Sequence, residues 1–266
     1  MKILKKYFPF IKLSIIRSST YKHEVWWGSI ISFVIVIFYF YLWKSIFGNS
    51  SAINGYTFEE IMNYYIFSRI ILMFIRNDFD RTLEYEIKNG TISIRLIRPS
   101  NIFLEGWSSS AGLSIWRLIL NILPIIITGM IFFNIQIRIT LVSTIYLILI
   151  LFCAFFINYM ISFIVGILTF WSRGTTGVRH LKSLFISVIG GSLIPLDFYP
   201  AKIYNLFMFF PFKYLIYYPV LLLQGKLNES DILTSFPVLV LWIIIFLGIC
   251  ITLNYMAKRK IIIFGG

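Results

Sequence analysis

Residues 141–171 run for 31 positions without a single Asp, Glu, Lys, Arg or His. As a helix this run would be about 46 Å long, more than the roughly 30 Å of a bilayer's hydrocarbon core, so it is expected to tilt or to project beyond the membrane. A small soluble domain has no surface with which to hide such a segment, but lipid removes the conflict. The rest of the chain agrees: 59% of its residues are hydrophobic and 13% charged, against about 25% charged in an ordinary soluble domain.

Five more apolar runs, at 25–43, 58–75, 107–133, 184–196 and 232–255, make six predicted transmembrane helices in an all-α membrane protein. Trp26, Trp27 and Trp43 mark the ends of the first run as an aromatic belt would. Thr57 and Glu60 have the spacing of a capping box at the start of the second. The fifth run is short and is interrupted by Gly190, Gly191 and Pro195. Ahead of these, residues 1–24 mix Tyr7, Phe8, Phe10, Ile11 and Leu13 with six basic residues, a composition suited to a helix lying in the membrane interface. The run that follows carries no small-residue cleavage site and is expected to remain as an anchor.

The net charge of +13 is best explained by topology rather than by nucleic acid, since no zinc-finger spacing or RNA-binding sheet motif is present. With the N-terminus inside, segments 1–24, 76–105, 172–182 and 256–266 carry 17 basic residues. The alternate segments 44–57, 134–140 and 197–231 carry 5. Both termini are therefore predicted to be cytoplasmic. Cys153 and Cys250 sit in apolar runs, where a thiol behaves as a small hydrophobe.

Two connecting regions stand out. Segment 76–105 alternates acids and bases around Tyr85, Ile87, Ile92, Ile94 and Leu96, with a turn signal at Asn89-Gly90 and an end at Arg98-Pro99. That mixture suits a protein-docking face better than a lipid surface. Segment 197–231 is aromatic and broken by Pro200, Pro211 and Pro219, too interrupted for an ordinary span and too apolar for a free loop. Residues 197–222 are expected to fold back on the outer side, with Pro195 and Pro200 setting the bends. Residues 172–182 read as a polar loop.

The chain has no phosphate-binding loop: Gly225-Lys226 lacks the upstream glycine and the following Ser or Thr. Metalloprotease, serine-hydrolase and paired-cysteine metal motifs are missing too. His23 and His180 lie in basic segments with no partner in the sequence. Arg69 and Arg117 fall near inner boundaries and Asp197 near the outer one. Asn158 is the polar residue at mid-span depth; a helix-to-helix hydrogen bond and contact with a substrate path are both open to it.

The pattern resembles the membrane subunits of type-2 ABC transporters, a permease family of about 260 residues with a separate ATPase. The resemblance is carried by Gly55-Tyr56-Thr57-Phe58-Glu59-Glu60, Ile87-Lys88-Asn89-Gly90, Leu96-Ile97-Arg98-Pro99, Gly191-Ser192-Leu193-Ile194-Pro195-Leu196-Asp197 with Phe198-Tyr199-Pro200, Phe209-Phe210-Pro211-Phe212, Tyr217-Tyr218-Pro219, Leu223-Gln224-Gly225 and the terminal Gly265-Gly266. It implies a six-helix domain over 1–266 with an N-terminal interfacial helix and outer re-entrant helices before the last span. It also implies two permease chains, identical or related, working with two ATPase copies that bind ATP and Mg, this chain holding no cofactor of its own. The expected ATPase-coupling residues are Tyr85, Ile87, Asn89, Gly90, Arg95, Arg98 and Pro99. The expected outer gate is Pro195, Asp197, Phe198, Pro200 and Pro211. An intramembrane lipid-modifying enzyme and a non-transporting assembly factor are the competing readings.

Overall fold

A computed structural model describes the backbone of residues 2–20, 22–97, 100–133, 140–172, 174–227 and 229–264. Arg98, Pro99, the turn at 134–139 and the terminal Gly265-Gly266 lie outside the described residues. The chain is almost wholly helical: α1 (Lys2–Thr20), α2 (Lys22–Phe47), α3 (Phe58–Ile75), α4 (Phe79–Lys88), α5 (Ile92–Ile97), α6 (Ile102–Phe133), α7 (Leu141–Ile167), α8 (Thr176–Val188), α9 (Ala201–Phe209), α10 (Tyr217–Leu223) and α11 (Glu229–Phe264). Among the described residues the one sheet is a two-residue hairpin before α3, β1 (Ala52–Ile53) against β2 (Tyr56–Thr57), turning at Asn54-Gly55.

The local sequence accounts for several of these boundaries. Thr57 accepts the Glu60 N–H at 3.3 Å while Glu60 accepts the Thr57 N–H at 3.1 Å, completing the capping box that starts α3. Such a cap stabilises by about 1 kcal/mol. At the other end of α3, Asn158 of α7 donates to the Ile75 carbonyl at 2.5 Å, satisfying one of the acceptors a helix end leaves open.

Two expectations need correction. The polar stretch 172–182 is not a loop along its length, because α8 begins at Thr176. Nor does a helix occupy 184–196: α8 ends at Val188 and the backbone turns over 189–195. Gly191 has φ +83°, a conformation that ends an L-residue helix, and Pro195 starts the next short turn, Leu196–Phe198.

Packing places α1 along α6 and α3 against α6, with α4 and α11 both on α7. Gly166 of α7 lets α4 close in. A Cβ there would lie 2.8 Å from the Leu83 Cβ and 3.0 Å from the Asp80 Cα. The buried core is rich in tyrosine. Tyr64, Tyr65, Tyr159, Tyr214 and Tyr217 are all essentially inaccessible, so each hydroxyl needs a partner. By length and composition Leu141–Phe170 and Ser230–Lys260 are apolar enough to cross a membrane, and the pair Ala201–Phe209 and Pro211–Leu223, bent by 79°, makes a third if it counts as one span.

Candidate functional sites at the two ends of the bundle

At one end, α4 carries Asp80 and Glu84 four residues apart, on one helical face. That face turns inward. Lys182 of α8 places its Nζ 2.6 Å from Asp80 Oδ2, 3.1 Å from Ser162 Oγ and 3.3 Å from the Asn77 carbonyl. One turn along, Glu84 receives Lys88 at 2.6 Å, the Thr175 hydroxyl at 2.9 Å and the Thr175 N–H at 3.3 Å, with Arg179 Nη1 2.6 Å away. Burial alone would raise the Glu84 carboxyl, but the Lys88 and Thr175 hydrogen bonds and the Arg179 charge outweigh it and hold the group at about 2. Before α4, Asp78 sits between Arg76 at 3.2 Å and Arg117 of α6 at 2.8 Å. Burial opposes its ionisation, and the two guanidiniums more than reverse that.

Arg95 of α5 is a strut rather than a surface residue. It bridges Glu86 of α4 at 2.8 Å and the fully buried Glu105 of α6 at 2.9 Å, and Ser100 also donates to Glu105. Ile87 packs partly against the core, and Asn89-Gly90 ends α4, Gly90 at φ +71°. Among the described coupling residues named from sequence, Asn89 and Gly90 are exposed at the turn and Tyr85 is the exposed aromatic, at 67%. Ile94 and Ile97 of α5 are exposed as well. The α4 element is thus clamped on one face, while its exposed face sets Tyr85 among Arg81, Thr82 and Lys88.

At the opposite end, everything converges on the hairpin before α3. Asp197 accepts the Tyr56 hydroxyl at 2.5 Å and the Tyr217 hydroxyl at 2.6 Å. Burial, then the bond to Asp197, push the Tyr56 phenol well above its ordinary range, so it stays a donor. Phe198 packs on Trp43 and Tyr56 with centroids 5.0 and 5.7 Å away. Pro195 and Pro211 are buried and Pro200 is exposed. Gln224 donates to the Glu60 carbonyl at 2.7 Å and Lys226 reaches the Glu60 carboxylate at 3.0 Å. Residues 197 and 224–226, the two ends of the aromatic segment, therefore dock on the same stretch, 54–60. Between them and the start of α11 lies an open cavity of about 390 Å³ lined by Tyr56, Asp197, Tyr204, Tyr217, Tyr218 and Asp231 among others.

Where α8 stops, the freed backbone carbonyls find two side-chain donors and one backbone donor. Tyr64 bonds the Gly191 carbonyl at 2.6 Å, Tyr65 the Leu193 carbonyl at 2.8 Å, and the Tyr217 N–H the Gly190 carbonyl at 3.1 Å. These phenols were not legible as site residues, since their partners lie more than a hundred positions away; nor was Lys213, hidden in the aromatic run. The Asp80–Glu84 and Glu84–Lys88 spacings were a usable signal for the buried clamp. Among the described residues no cluster of three or more His, Cys, Asp or Glu side chains could hold a metal ion.

No curated protein matches the chain. Residues 33–261, most of its length, match the family described as ABC-2 family transporter protein. With that match across its helices, this multi-pass membrane chain belongs to the ABC-2 transporter family.

Proposed function

We propose that the chain is the permease subunit of an ATP-driven exporter, with six membrane crossings, both termini in the cytoplasm, and a second permease, identical or related, completing the path. ATP and Mg would be held by two copies of a partner ATPase, the kind of subunit with which ABC-2 permeases normally work. In this reading the α4 end is cytoplasmic and the hairpin end outer, as the distribution of basic residues requires. Segment 197–222 then enters and leaves from the outer side, which the docking of both its ends on 54–60 supports.

The observation that carries the reading is the two-faced α4. A helix clamped to α7 and α8 by buried charges, yet presenting Tyr85 to solvent, can transmit a push from a docked partner, whereas a solvated connector would absorb it. Replacing Tyr85 with Asp is expected to release the ATPase from the complex purified in detergent, or to uncouple its hydrolysis, with the permease still inserted. Unchanged assembly and unchanged transport would mean that energy enters elsewhere. Orientation is tested by Ser51→Cys, expected to label from outside, and Thr176→Cys, expected to label only after permeabilisation.

A further inference from the structure

Two basic residues within the bundle, Arg69, which is part-buried, and Lys213, which is buried, lack the partners that the buried carboxylates have. Arg69 is the twelfth of the 18 residues of α3, six residues or about 9 Å from its inner end. Among the described residues it makes no ion pair and no hydrogen bond; the groups within electrostatic reach are the neutral phenols of Tyr39 and Tyr65, whose rings stack 3.9 Å apart. Lys213, in the turn joining α9 to α10, is 92% buried and likewise has no carboxylate or hydrogen-bond acceptor among the described residues. Its ammonium faces only the rings of Tyr214 and Tyr218, 5.0 and 5.2 Å from their centroids.

Both residues border the same feature. Arg69 lies one turn from Tyr65, on the side of α3 whose tyrosine bonds the Leu193 carbonyl. Lys213 lies four residues before Tyr217, whose N–H bonds the Gly190 carbonyl, and its neighbour Phe212 meets Phe185 in the last turns of α8 at 6.0 Å. A helix that stops inside the bundle, with its unwound backbone flanked by polar groups, is the arrangement membrane carriers use to hold cargo at depth. The segments around it, 61–75, 141–171, 183–196 and 201–224, contain no Asp or Glu, and the intervening Asp197 is taken up by Tyr56 and Tyr217. An uncompensated cation in that setting is costly and marks a functional position.

We propose that Arg69 and Lys213 form an anion-recognising step on the transport path, so that the exported molecule carries a phosphate or carboxylate on an apolar body. This deepens the permease reading and rests on it. Arg69 supplies a planar fork for two oxygens and Lys213 a point charge. Loading an anion at this step would neutralise charge that has no carboxylate partner among the described residues.

The test is equilibrium binding to the full chain, purified with its ATPase in a neutral maltoside detergent, of four probes with the same twelve-carbon tail: dodecyl phosphate, dodecanoate, dodecanol and dodecyltrimethylammonium. At least one of the two acids is expected to bind 10-fold or more tightly than both the alcohol and the cation, and the better of them names the head group. Arg69→Gln and Lys213→Gln should each weaken that acid at least fivefold and leave the alcohol unchanged. Lys213→Arg, which keeps the charge, should retain the preference even if Lys213→Gln folds poorly. Equal binding of all four probes, tighter binding of the cation, or an acid preference unmoved in Arg69→Gln and Lys213→Gln overturns the proposal. The same preparation separates the two readings: loss of anion preference with the ATPase still bound removes this proposal alone, while anion selection by a chain that holds no ATPase removes the permease reading.

Discussion

The two ends of the bundle are fastened by different chemistry. At the α4 end the fasteners are buried ion pairs, Asp80 with Lys182 and Glu84 with Lys88 and Arg179. At the hairpin end the central carboxylate, Asp197, is held by two neutral phenols and packed by aromatic rings, and the ion pair there, Lys226 with Glu60, is part-exposed. A buried ion pair is expensive to separate, because each partner would be left as a bare charge in a poor solvent. A phenol leaving a carboxylate that water can reach costs far less. The α4 end is therefore fastened more firmly, through α8, than the hairpin end. The two ends differ in how costly their contacts are to separate.

The sharpest way to break this comparison is to remove one partner of a buried pair. Lys182→Met leaves Asp80, 1% exposed, without its counter-charge and is expected to destabilise by about 3–5 kcal/mol, read as a large fall in the melting midpoint in detergent. Adding Asp80→Asn should recover much of the loss. If the single variant melts like the parent, the α4 clamp is not a rigid link.

Acid should loosen the same end selectively. Glu84 is held at about 2 in the folded chain, below its ordinary value of about 4.3. Its folded-state value is depressed, so its contribution is complete above the ordinary glutamate range and is lost as pH falls from there toward 2. The melting midpoints of the parent and of Glu84→Gln should differ by a constant amount above about pH 5 and converge toward pH 2. A gap that stays constant throughout would show that Glu84 does not ionise against the Thr175–Arg179 pair.

The difference between the ends also explains what was legible in sequence. Helix-scale features were: the capping box at Thr57 and Glu60, the apolar runs that became α7 and α11, the turn at Asn89-Gly90, and the mixed charge of the segment containing α4. Each is set by neighbours within a turn or two. The helix boundary at Thr176 was misread because Arg179 and Lys182 look like loop residues until their partners on α4, about a hundred positions earlier, are in place. Arg95 was expected on the docking surface for the same reason; nothing near it in sequence tells that Glu86 and Glu105 enclose it. The early end of α8 was half visible in Gly190 and Gly191, but not the tyrosines of α3 that make such an ending tolerable by accepting the role of helix neighbours. Lys213 was passed over because an isolated lysine in an aromatic stretch reads as an outer-face charge, and only packing shows it buried.

The smallest effect is expected at the hairpin end, and it sharpens the comparison most. Tyr56→Phe and Tyr217→Phe each delete one hydroxyl from Asp197 with almost no change in shape. A hydrogen bond to a charged acceptor is worth about 1.5–3 kcal/mol when the acceptor cannot find a substitute. Here Asp197 is half-exposed beside an open cavity, so water can replace either phenol, and the loss should fall at or below the low end of that range. Tyr217 has a second role that Tyr56 lacks: its backbone N–H holds Gly190, and that bond survives the substitution. The two variants should therefore melt within about 1 kcal/mol of each other, and both should speed labelling of a cysteine placed at Ser51 only if the Asp197 knot restrains the hairpin. If Tyr217→Phe instead destabilises as much as Lys182→Met, the hairpin end is as rigidly fastened as the α4 end, and the contrast between the two ends is wrong.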